Sequence, residues 1–219
     1  MSRVSHKVHQ SPQEHNAVVR FFAHFFSFIF HPLFIAAYVT AFLIFVHPIA
    51  FAGFDPKLKM FRLISVFFVT VFLPFFSIFL LLRLRFISSV YLRTARERVI
   101  PYAIVMIFYF WIWYVFYKLD SPPVIVHFLL GAFLAVCAAW MCNIFYKISI
   151  HSVAMGGLLM FFLLFSFHDS YASGVYLSLA TLIAGLVCTS RFIVSDHSAF
   201  DIYTGLLTGM LTQFIAWQF

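Results

Sequence analysis

Seven stretches of this chain are apolar over lengths that reach or approach what a helix needs to cross a lipid bilayer, and little else so constrains how it can fold. They cover about residues 25–51, 62–82, 99–117, 124–146, 152–167, 175–189 and 200–217. A helix needs roughly 20 mostly apolar residues to cross the hydrocarbon core. No water is present there to satisfy backbone N–H and C=O groups, so each span must bond them internally, as a helix does. Proline interrupts the first stretch at Pro32 and Pro48 and the second at Pro74, which predicts a broken first span and a kinked second one. The expected fold is all-α: one polytopic helix bundle of about seven spans, six at the least. It would occupy residues 23–219 behind a polar tail, 1–22, that lacks the apolar middle and the small-residue cleavage site of a signal peptide.

Composition agrees: 64% of residues are hydrophobic and 10% charged, against about a quarter charged in a soluble domain. The net charge of +7 does not point to nucleic acid, because the basic residues sit at the ends of apolar runs. There they set topology and meet lipid headgroups. Cys137, Cys142 and Cys188 lie inside apolar runs with no metal-site or disulfide spacing. The aromatic third stretch, FYFWIWYVFY, reads as lipid-facing or interfacial bulk. Gly156-Gly157 and the Gly205/Gly209 pair suit close helix packing.

Against this background one polar cluster is expensive. Residues 190–201 read SRFIVSDHSAFD. Ionisable groups at membrane depth face an interior cavity and mark function. His197 and Asp201 are four apart and would share one face of a helix, with the carboxylate fixing the imidazole tautomer. Arg191 offers a planar fork suited to phosphate. Two other polar segments recur at matching positions: the basic stretch 83–98 and the short break 147–151, KISIH. One helical hairpin separates each from the next. Two crossings return a chain to the side it left, so all three should meet at one membrane face.

The pattern Ser-Arg-x5-His-x3-Asp, filled by Ser190, Arg191, His197 and Asp201, resembles the third signature of the type 2 phosphatidic acid phosphatase superfamily. A chance match of four fixed positions is roughly one in a thousand. The second signature, Pro-Ser-Gly-His, is half matched by Ile148-Ser149-Ile150-His151. In the first, Lys-x6-Arg-Pro, Arg93 stands for the lysine and Pro101 for the proline, while Ile100 replaces the arginine. Arg96 or Arg98 would supply that cation from one turn away. The likeness covers about residues 93–209 and is nearest to membrane-bound bacterial members, which implies a bacterial inner (cell) membrane.

The resemblance implies a nucleophilic His197 that forms a phosphohistidine, Asp201 orienting it, and His151 protonating the leaving alcohol. Arg191 and Arg93, helped by Arg98, Ser149 and Ser190, would bind the phosphoryl oxygens. No metal or other cofactor is implied, the arginines taking that place. The expected activity is an integral membrane phosphatase acting on a lipid-linked phosphate or pyrophosphate. A phosphotransferase on the same scaffold, or a lipid-phosphate-binding protein without turnover, are the alternatives. Haloperoxidases of the superfamily are soluble and do not fit. Asp196 ranks below Asp201, and His24, His31, His47, His127 and His168 read as structural or interfacial. With seven spans, ten of the fourteen Lys and Arg fall on the site's side and four, Lys57, Lys59, Arg62 and Lys118, on the other. By the positive-inside rule the site would face the cytoplasm.

Overall fold

The computed structural model describes residues 16–89, 95–169, 174–195 and 197–219, with the side chains of Ala95 and Arg96 excepted. The described chain is helical throughout, without strands. Helix α1 (Ala17–Ile29) opens on an Asn16 cap whose side chain accepts the Val18 N–H at 3.2 Å. Residues 17–22, expected in the tail, are thus already helical.

The first span is broken as its proline predicts. Pro32 has no N–H to continue a helix and disfavours helical backbone in the residue before it, yet is well placed to begin the next one. α2 (Pro32–Ala41) therefore starts afresh, with His31 as its cap, and continues through a π-helical turn, Phe42–Val46. The two pieces are bent by 61°. In the second stretch, α3 (Pro56–Phe67) passes through another π turn, Phe68–Phe72, into α4 (Leu73–Arg83). Pro74 withdraws one backbone donor, and the π turn just before it is where the ladder adjusts.

The remaining helices are α5 (Ala95–Lys118), α6 (Pro123–Cys142), α7 (Ile150–His168), α8 (Gly174–Val194) and α9 (Ala199–Ala216). Among the described residues, five helices are long and apolar enough to cross a membrane: the continuous 56–83 unit, α5 from Glu97, α6, α7 and α8. The bent α1–α2 pair makes six. α9, expected as a seventh span, is less apolar: it carries Thr204, Thr208, Thr212 and Gln213.

α7 is the centre of the bundle, against α6, α8 and α9. Its approach to α9 depends on glycine. A Cβ at Gly156 would stand 2.0 Å from the Leu206 carbonyl oxygen, and one at Gly209 would stand 1.9 Å from that of Val153. Both atoms are backbone, so no side-chain motion relieves the clash. The two helices touch main chain to main chain, as small residues allow in membrane bundles. This contact places the start of α7 beside the start of α9, where the polar residues are.

Candidate functional site

The N-terminal ends of α7 and α9 are tied by two bonds from the 147–151 segment. The Ser149 N–H donates to the Asp201 carbonyl at 3.3 Å. The Lys147 carbonyl sits 3.1 Å from His197 Nδ1. A carbonyl oxygen only accepts, so Nδ1 carries the proton and Nε2 keeps its lone pair. The KISIH break thus fixes the tautomer of His197 from across the bundle. Burial first, then the charges of Arg191, Lys147 and Arg98, push this imidazole down to about 4, with Asp201 opposing. The ring is neutral at pH 7.

Below this junction lies a cavity of about 660 Å³. His151, Arg191, His197 and Arg98 all line it. These residues come from the three polar segments that an even number of crossings was expected to bring together. His151 is buried, and its Nε2 lies 3.1 Å from the Ser27 carbonyl at the end of α1. By the same argument Nε2 is the protonated nitrogen, and Nδ1 keeps its lone pair. Arg191 Nε is buried without a hydrogen-bond partner among the described residues. A buried donor on a cation is costly to leave unpaired unless something negative completes it.

Several expected roles come out differently. His197 and Asp201 do not share a helix face, because α9 begins at Ala199 with Ser198 as its cap, and His197 lies before the cap. Asp201 Oδ2 is 3.9 Å from His197 Nδ1, beyond a hydrogen bond. Instead it accepts from Ser198 N at 2.8 Å and Ser198 Oγ at 2.9 Å, closing a capping box. The backbone of Lys147 holds the imidazole where Asp201 was expected to.

Ser149 is the cap of α7 and its Oγ accepts from Ser152 Oγ at 3.0 Å. Ser190 Oγ donates to the Leu186 carbonyl at 2.7 Å and lines a separate shallow groove between α1 and α8. Neither serine lines the main cavity, so their hydroxyls serve helices rather than an anion. Arg93 and Asp196 lie outside the described residues.

Sequence reasoning missed His31. Its ring lies 5.2 Å from that of His151, edge to face, and it lines the cavity. His31 Nδ1 accepts the Leu33 N–H at 3.4 Å, so Nε2 carries its proton as a donor. The available signal was the His-Pro pair itself, which places a capping side chain at a broken helix within the span. Tyr102 was missed too: its hydroxyl is buried at the cavity wall without a partner among the described residues.

Compared with protein-family models, with curated proteins and with solved structures, the chain matches none. What fold and site define is a class: a helical membrane protein with an internal cavity, headed by two arginines and three histidines.

Proposed function

We propose that this protein is an integral membrane phosphatase acting on a lipid-linked phosphate or pyrophosphate through a phosphohistidine at His197. The supporting observation is the shared cavity of Arg98, His151, Arg191 and His197, with a lone pair on His197 Nε2 and an Arg191 Nε that has no partner among the described residues. The third-signature resemblance assigns Arg191 and His197, the half-matched second signature assigns His151, and Arg98 stands in for the cation lost from the first. On this reading the chain crosses the inner membrane of a bacterium seven times, counting α1–α2 as one crossing and α9 as another. The catalytic core spans about 93–209 and the site faces the cytoplasm.

The chemistry follows from the residues. Arg191 and Arg98 hold the phosphoryl oxygens, where transition-state charge is spread, and this electrostatic complement carries most of the rate enhancement. The Nε2 lone pair of His197 attacks phosphorus. The bond to the lipid oxygen breaks and its electron pair leaves with that oxygen, which takes a proton from His151. A phosphate dianion in the cavity favours the protonated form of His151 that this step needs. In the second half His151 removes a proton from water, water attacks phosphorus, and the P–N bond electrons return to Nε2. The Lys147 carbonyl stabilises the Nδ1–H while the ring carries positive charge.

A second reading, lipid-phosphate binding without turnover, draws on the 3.9 Å gap at Asp201 and on the local use of Ser149 and Ser190. A lipid phosphotransferase would share every residue and differ in the acceptor. One experiment separates them. Purified protein is incubated with a panel of radiolabelled lipid phosphates, with and without an acceptor alcohol, and acid-labile label on histidine is followed. Phosphohistidine with release of inorganic phosphate supports the phosphatase; label passed to the alcohol supports the transferase. Binding without label on His197 discards both enzymes.

A further inference from the structure

The cavity does not stop at the polar head. It runs down between α2, α5, α6 and α7, and its character changes within one helical turn. On α5 the wall passes from Arg98 through Pro101 and Tyr102 to Val105 and Tyr109. On the antiparallel neighbour α6 it passes from Ala139 through Ala135 and Ala132 to Gly131 and Phe128. These positions recur at three- and four-residue spacing, so each helix contributes one continuous stripe. Both stripes span roughly 16 Å at the α-helical rise per residue, about half the bilayer's hydrocarbon thickness. On α6 the stripe between its ends is mostly alanine and glycine, with Val136 beside them, which leaves a channel where larger residues would fill a core.

The floor is closed by Tyr109, Phe128 and Gln213, each buried. Gln213 is 1% exposed, its Nε2 donates to the His127 carbonyl at 3.3 Å, and its Oε1 has no partner among the described residues. Hydrocarbon pressed against that oxygen would leave it unsatisfied, so an apolar occupant gains nothing by reaching further.

We propose that this channel holds the hydrocarbon tail of the substrate, and that the substrate is a lipid phosphate with a single linear chain whose first dozen or so carbons thread into the bundle. The inference rests on the proposed lipid-phosphate site and specifies its ligand. Charge and shape argue for one occupant: the cations at the mouth take the phosphate, and the apolar shaft below takes what is attached to it. A depth of roughly 16 Å corresponds to an extended chain of about twelve carbons. A cavity of about 660 Å³ leaves no room for two such chains together with a headgroup. The channel acts as a ruler, with Gln213 at its end.

The test uses full-length protein in detergent and a series of linear alkylphosphonates, which cannot be hydrolysed, with inorganic phosphate as the member without a chain. Thermal stabilisation is read against chain length. The wild type is expected to gain with each methylene to about twelve carbons, then level off. Ala135→Phe should move the plateau to chains several carbons shorter, and Ala132→Val, a milder obstruction should the first variant fold poorly, should move it the same way. Leu179→Phe, on the exposed face of α8, should leave the profile unchanged. A flat wild-type profile, or a plateau at the same length in both alanine variants, overturns the inference. A chain-length profile with no phosphate release from the matching alkyl phosphates keeps the channel and discards the enzyme. Release that is indifferent to chain length does the reverse.

Discussion

The two ends of the helix bundle treat buried charge in opposite ways. At the end away from the cavity, Arg62 is buried, and its terminal nitrogens donate to Ser121 Oγ at 2.6 Å and to the Leu119 carbonyl at 3.0 Å while the guanidinium lies over the Phe116 ring, leaving Nε without a partner among the described residues. His47 at the same end faces Asp169 at 3.4 Å and accepts the Ala50 N–H at 3.0 Å. Trp217 packs between His127 and His168. At the other end Arg191 Nε is likewise buried without a partner among the described residues, but Arg191 lines the cavity, together with His31, His151 and His197. Both ends desolvate a cation; one holds its terminal nitrogens with groups of the chain, and the other sets its guanidinium against open space, which on the proposed reading a ligand fills. A buried charge alone is therefore a weak sign of function, and a buried charge beside an unfilled cavity is a stronger one.

The sharpest break of this comparison is His197→Ala, for which phosphate release should fall about a thousandfold or more with little change in melting temperature. Unchanged single-turnover rates would remove His197 from the chemistry. Next come the two arginines. Arg191→Met should lower kcat/KM roughly a hundredfold and leave the fold intact. Arg62→Met should cost about 3 kcal/mol in denaturant unfolding by stranding its partners, with phosphate affinity unaltered. Equal effects of the two variants on affinity would erase the distinction between the ends.

Gly209→Ala should cost about 1–3 kcal/mol, because its Cβ meets the Val153 carbonyl. It should also reduce turnover, by shifting α9 and loosening the bond between His197 and Lys147.

The acid limb of kcat/KM reports the free enzyme and should fall near pH 4 rather than near 6.5, since burial and the neighbouring cations depress His197 to about 4. The sign for stability is the same: a histidine that folding holds neutral contributes fully above its unfolded value of 6.5. That contribution is lost as pH falls from there through about 4.

The smallest effect is expected for Asp201→Ala. Removing the cap should cost about 1 kcal/mol, and turnover should drop less than about tenfold, since the Lys147 carbonyl still orients the ring. A drop as large as that of His197→Ala would show that Asp201 closes the 3.9 Å gap during the reaction.

Much of the helix layout was legible from the residues, because hydrophobic length and proline position act locally. Pro32 broke the first span where expected, and the π turn in the second sits beside Pro74. The convergence of Arg98, His151, Arg191 and His197 was legible as well, from the parity of crossings. The roles of the smaller groups were not. Ser149, Ser190 and Asp201 could serve an anion or a helix end equally well by spacing, and the helix start at Ala199 decided for the cap. Asp201 could share a face with His197 only if both were helical. His31 stayed hidden because nothing linear connects it to residue 151.

The sequence by itself determined that this is a helical membrane protein and which polar segments share a face, since both follow from the cost of exposing backbone or charge to hydrocarbon. Only the tertiary structure decided that a backbone carbonyl fixes the His197 tautomer, that Arg191 Nε has no partner among the described residues, and that a largely apolar cavity with an alanine-rich wall on α6 lies beneath them. Those depend on how closely helices approach, which at α7 and α9 turns on the missing side chains of Gly156 and Gly209.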